Sequence, residues 1–131
     1  MSELNSIEML ARLVAFPTVS RDSNLPLIEF IENYLASHGV KSLRVDYEAD
    51  KKTNLYATIG PDIAGGIVLS GHTDVVPVDG QDWTSDAFEM RAQDGLLFGR
   101  GTADMKGFIA VALAMVPKFL AADLKKPIHF S

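Results

Sequence analysis

His72 and Asp74, in Gly71-His72-Thr73-Asp74-Val75-Val76, and Asp104, in Gly99-Arg100-Gly101-Thr102-Ala103-Asp104-Met105-Lys106-Gly107, are the side chains best suited to chemistry. The chain has no cysteine, so a zinc site must use imidazole and carboxylate. Residues two apart on an extended segment point the same way, which puts His72 and Asp74 on one side. They follow a short β-branched run, and ligands of open α/β sheets gather at the carboxyl ends of strands. An aspartate beside a metal-bound histidine commonly accepts the second ring N–H, which sets the tautomer and raises ligand basicity. On this reading His72 holds a metal and Asp74 orients it. The plainer reading is a structural histidine with Asp74 capping a turn.

The glycine-rich segment carries a similar choice. Gly99 and Gly101 permit positive φ or close backbone approach. Thr102 or Asp104 can cap the helix that follows. A carboxylate at a helix N-terminus is also stabilised as the anion, which suits a ligand shared by two metals. Two phosphate-binding patterns fail. Lys106 is followed by Gly107 where a Walker loop needs Ser or Thr, and Asp104 occupies the third glycine position of the dinucleotide fingerprint. Arg100 and Lys106 can meet an anionic substrate group, although exposed salt bridges are the simpler role for each. His38 reads as a helix-end cap, His129 as a packed sheet residue and Trp83 as loop packing.

These groups need a scaffold, and the pattern supplies one. Leu4, Ile7, Leu10, Ala11 and Val14 fall at helical spacing, and Phe16-Pro17 ends that helix. Thr18 to Asn24 is a polar turn. A second helix is expected over 26–38, with Leu27, Ile28, Ile31 and Leu35 on one face and Gly39 as its stop. Strands are expected over 43–48 and 55–59, around a charged turn at Asp50-Lys51-Lys52. Ile67-Val68-Leu69-Ser70 resembles a strand buried on both faces. Segments 88–92 and 96–98 flank Gln93-Asp94-Gly95, a hairpin turn. Residues 105–120 are apolar nearly all round and predict a buried helix, kinked or ended near Pro117. Ile128-His129-Phe130 begins another strand. Helices with buried strands define an α/β layered fold.

With 131 residues, the chain is one domain or part of one. A net charge of −5 excludes a general nucleic-acid binder, which needs a basic face. The N-terminus has no basic and apolar leader pattern, and the apolar stretch from Phe108 to Val116 is too short to span a membrane. The expectation is a cytoplasmic protein that binds neither nucleic acid nor membrane.

The His72 and Asp104 segments, together with Phe16-Pro17-Thr18-Val19-Ser20, resemble the M20 family of zinc aminoacylases and carboxypeptidases. The resemblance implies an α/β fold that is part of a zinc-peptidase-like catalytic domain, a mixed sheet flanked by helices. It implies two zinc ions per active site, with cobalt as a possible substitute. His72 would be a ligand to one zinc, Asp104 the bridging ligand and Asp74 the catalytic partner of His72. It also implies an N-acylated amino acid as small-molecule substrate and a homodimeric parent protein. Residues 1–131 would then be the N-terminal portion of the catalytic domain. The family's Glu-Glu pair, its later ligands and its dimerisation domain have no counterpart in this sequence. A competing expectation is a non-catalytic α/β fragment that self-associates through an open sheet edge.

Overall fold

A computed structural model describes residues 3–47, 49 and 51–131 of the chain. The first helix, α1, is Ser6–Val14. Asn5 starts it by accepting from the Ile7 and Glu8 amides at 3.0 and 2.9 Å. Glu8 reaches back to the Asn5 amide at 2.9 Å, completing a capping box. The second helix, α2 (Leu25–Ser37), carries Pro26 in its first turn and closes at His38, the expected cap position. Both helices bury the faces that the spacing defines: Met9, Leu10, Leu13 and Val14 from α1, and Leu27, Ile28, Ile31, Tyr34 and Leu35 from α2. The Tyr34 hydroxyl is carried into the core, where it donates to the Leu113 carbonyl at 3.0 Å.

The main sheet has four strands: β1 (Ser42–Tyr47), β2 (Lys52–Ile59), β3 (Ile67–Leu69) and β6 (Ile128–Phe130). Their spatial order is β1-β2-β6-β3. The first two pair as an antiparallel hairpin, with Leu43 opposite Tyr56 and Val45 opposite Asn54. The second strand therefore starts earlier than the apolar run at Leu55 suggests. Glu48 and Asp50, expected at the end of the first strand and in the charged turn, lie outside the described residues. Strand β6 pairs antiparallel with β2 and parallel with β3, so the sheet is mixed.

The expectation that Ile67 to Ser70 is buried on both faces is not met. Ile67 is 59% and Val68 56% exposed, because among the described residues β3 lies at the sheet edge with only β6 paired beside it. Its entry is tight: a Cβ on Gly66, at φ +93, would stand 2.0 Å from the Pro127 carbonyl oxygen. Only glycine lets the two strands come together there.

The short strands β4 (Arg91–Gln93) and β5 (Leu96–Phe98) form a separate hairpin. Its two turn residues, Asp94 and Gly95, have φ of 52 and 75°, as a type I′ turn requires. The apolar 105–120 segment is two helices, α3 (Gly107–Ala114) and α4 (Val116–Ala121), divided at Met115 with Pro117 in the first turn of α4. The division follows the proline, as expected. Full burial does not: Ala110, Ala112, Leu113 and Val116 are buried, whereas Val111 is 55% exposed. One core joins α1, α2, α3, β2 and β6 through residues such as Leu13, Leu35, Leu113, Ile59 and Phe130. Among the described residues no helix is long and apolar enough to cross a membrane.

Candidate metal centre

His72 and Asp74 lie on the extended segment just past β3, and Asp104 lies in the Thr102–Lys106 turn that leads into α3. The fold brings the two segments together. His72 Nε2 stands 2.9 Å from Asp104 Oδ1. The other ring nitrogen, Nδ1, is 3.0 Å from the Asp74 carbonyl oxygen and 3.3 Å from its carboxylate Oδ1. Asp74 thus holds the imidazole twice, and its backbone makes the closer contact.

This arrangement dictates the chemistry of Nε2. Nδ1 faces only acceptors and carries a proton, so in a neutral ring Nε2 carries a lone pair. That lone pair would face a carboxylate oxygen at hydrogen-bond distance. Two acceptors hold such a distance only with a proton between them, here on Nε2. Burial pulls the imidazolium pKa down, but the Asp74 carbonyl, the Asp104 carboxylate and both charges outweigh it and leave it above the ordinary value. An imidazole nitrogen opposed to a carboxylate oxygen is also a donor set that zinc takes. These residues fit a metal. Among the described residues no cluster of three or more such groups converges. The centre built by this chain is therefore a pair of donors with an orienting aspartate.

Asp104 is not the helix cap that its position allows. No side chain caps either the turn or α3, and the Asp104 side chain is 87% exposed toward His72. Its backbone is non-helical, at φ −128 and ψ 90°, and the Asp104–Met105 peptide is cis. Gly101 enters the turn at φ +88, where a Cβ would meet Val75 Cγ1 at 2.6 Å. Close approach of the two ligand segments thus requires glycine at this point.

Sequence reasoning missed two positioning features. The first is the polar strap after α1. Thr18 Oγ1 donates to the Thr73 carbonyl at 2.6 Å, Val75 N donates to Thr18 O at 3.0 Å, and Ser20 N donates to Val75 O at 3.0 Å. Asn24 adds a contact from Nδ2 to Thr73 Oγ1 at 3.3 Å. The second is Lys106, expected in an exposed salt bridge. It is fully buried, and its ammonium donates to the Leu13 and Phe16 carbonyls at 2.9 and 2.7 Å. Burial pushes its pKa down to about 8. Among the described residues Arg100 likewise has no salt-bridge partner; it donates to Gln81 and lies 5.3 Å over the Trp83 ring. Trp83 donates to the same Gln81 oxygen at 2.9 Å, so it packs its loop as expected. His129 joins its sheet neighbours through Tyr56, Thr58 and Gly65.

The site and the fold point to one class of protein: residues 68–131 match the pattern of peptidase family M20/M25/M40. Among curated proteins it is 40% identical over 130 residues to the acetylornithine deacetylase of Pasteurella multocida (strain Pm70), covering 94% of this chain and 34% of that protein. It is 38% identical to the acetylornithine deacetylase of Shigella sonnei (strain Ss046), with the same coverage of 94% and 34%. The chain thus spans about a third of the length of these relatives. Human carnosine dipeptidase 1 superposes with a TM-score of 0.82 at 26% identity, over 95% of this chain and 30% of that one. The M20 family metallo-carboxypeptidase Sso-CP2 from Sulfolobus solfataricus, at 22% identity, shares the fold with a TM-score of 0.75, over 99% of this chain and 30% of its own. The mixed α/β fold expected from the sequence is the fold of these M20 proteins.

Proposed function

We propose that the protein carrying this chain is a zinc-dependent amide hydrolase that converts N2-acetyl-L-ornithine to L-ornithine and acetate, a step of arginine biosynthesis. The observation that carries the reading is the opposition of His72 Nε2 and Asp104 Oδ1 at 2.9 Å, in a chain 40% identical to an acetylornithine deacetylase. Bound zinc would supply Lewis-acid polarisation of the amide carbonyl and a water acidic enough to react near neutral pH.

The residues of this chain have separable tasks. His72 presents Nε2 as a donor because its Nδ1 proton is directed at Asp74. Asp74 holds the ring orientation and makes the imidazole more basic. Asp104 brings a second, anionic donor from the other side and would be shared between two ions. The remaining ligands and the glutamate base that takes the water's proton would come from elsewhere in the protein. Its homodimeric state is part of the same proposal.

Dipeptide hydrolysis is a second reading, favoured by the superposition on human carnosine dipeptidase 1 at a TM-score of 0.82. N-succinyl-diaminopimelate is the remaining acyl amino acid to compare. The test is amine release by the zinc-loaded full-length protein from N2-acetyl-L-ornithine, N-succinyl-diaminopimelate and a dipeptide, beside its His72→Ala variant. Preference for acetylornithine, lost in the variant, is expected. Near-normal turnover without His72 would sink the metal reading, and a dipeptide preference would sink the substrate.

A further inference from the structure

We propose that Ser20 is a positioning residue for the metal centre, acting on His72 through the Asp74 carboxylate. This inference rests on the zinc reading of His72 and Asp104. Ser20 Oγ lies 2.5 Å from Asp74 Oδ2, and the other oxygen of that carboxylate faces His72 Nδ1 at 3.3 Å. The hydroxyl has one proton and two acceptors within reach. The Val75 carbonyl stands farther off, at 3.3 Å, so the proton goes to the carboxylate. A carboxylate has two rotatable bonds behind it, and the Asp74 side chain is 52% exposed. Left alone, it would sample several orientations. With Oδ2 tied to Ser20, Oδ1 is held toward the imidazole.

The hydroxyl can do this because its own backbone is fixed. Val19 and Val75 form a parallel bridge. The Ser20 amide donates to Val75 O at 3.0 Å, and the Ser20 carbonyl accepts from Lys52 Nζ. The strap therefore reaches Asp74 pre-organised, and the carboxylate loses freedom without new backbone ordering. Groups behind a ligating histidine commonly change metal affinity about 10–100-fold when removed.

The experiment is zinc affinity of the full-length protein by chelator competition, read beside the melting temperature of the metal-free form. Ser20→Ala is expected to weaken zinc binding about tenfold, at the low end of that range. Ser20→Thr, which keeps the hydroxyl, is expected to bind as wild type. In an Asp74→Ala background, Ser20→Ala is expected to cost nothing further. Wild-type affinity in Ser20→Ala overturns the inference, and so does a full additional loss in the Asp74→Ala background. If the alanine variant does not fold, Ser20→Cys carries the test, since its thiol is a weaker donor. Intermediate affinity then supports the inference and wild-type affinity overturns it. His72→Ala separates the two levels. If it binds zinc as wild type does, the metal reading falls and takes this inference with it. If it loses zinc while Ser20→Ala does not, the role of Ser20 alone falls.

Discussion

The Lys106 ammonium donates to the Leu13 carbonyl oxygen at 2.9 Å, near the end of α1, with no side-chain carboxylate as partner among the described residues. Its second bond, to Phe16 O at 2.7 Å, lies just past the same helix. Carbonyls at a helix C-terminus lack intrahelical donors, and a cation there is favoured. The lysine thus joins α1 to the turn that bears Asp104. Lys106→Ala removes one of the two donors at each carbonyl, leaving Leu13 O with Phe16 N at 3.2 Å and Phe16 O with Thr18 N at 2.8 Å, and opens a cavity, at an expected cost of about 2–4 kcal/mol. Lys106→Met keeps most of the stem and is expected to lose about 1–3 kcal/mol. Urea unfolding measures both, and unchanged midpoints would show that the bonds contribute nothing net.

Gly101→Ala strains the molecule in two ways. It places an L side chain at φ +88, and its Cβ at 2.6 Å from Val75 Cγ1. The expected loss is about 1–3 kcal/mol. Val75 is itself buried, so Val75→Ala costs a cavity of its own, but it removes the clash, and the double variant should lose less than the sum of the two single losses. Additive losses would show that the clash is not the source.

Asp79 pairs with Arg21 at 3.0 Å, tying the strap to the loop beyond the His72 segment. The Arg21 hydrogen bond, then the Asp79 backbone bond and the Arg21 charge, hold the Asp79 pKa below the usual carboxylate value. A depressed folded pKa contributes stability that is present above the unfolded pKa and is lost as pH falls through the folded one. Both groups are largely exposed, so the contribution is small. The direct check is an NMR titration of Asp79. It should titrate lower in wild type than in Arg21→Gln, and identical titrations would show that the pair does not form in solution.

Much of this was legible in the residues. The hairpin turn within Gln93-Asp94-Gly95 was readable because few residues accept positive φ, though not its type, and a break near Pro117 because a proline enforces it. The convergence of His72 and Asp104 followed from two ligand-competent segments, each at the end of an extended run. What escaped was carried by the backbone. Lys106 satisfies its charge on carbonyls, which every residue has, so no acidic residue in the sequence announces its burial. The Thr18–Ser20 strap engages the His72 segment through a bridge between Val19 and Val75, and two valines carry no pairing code. Burial of β3 failed as an inference because composition marks an apolar strand without saying how many neighbours cover it.

The place of β6 in the sheet also sets an order of assembly. Strands β2 and β3 are not paired with each other in the finished sheet; each pairs with β6, which lies far beyond both along the chain. During synthesis the β1-β2 hairpin can zip by local contacts, whereas β3 must wait with the His72 segment attached to it. Closing that long loop is the slow, entropically costly event. Until it closes, Ile128 and Phe130 cannot enter the core, and two strand edges stand open to other nascent chains. The strand that leads into the metal-donor segment thus gains its sheet partner only when β6 arrives, while the Thr18–Ser20 strap can hold the segment itself beforehand.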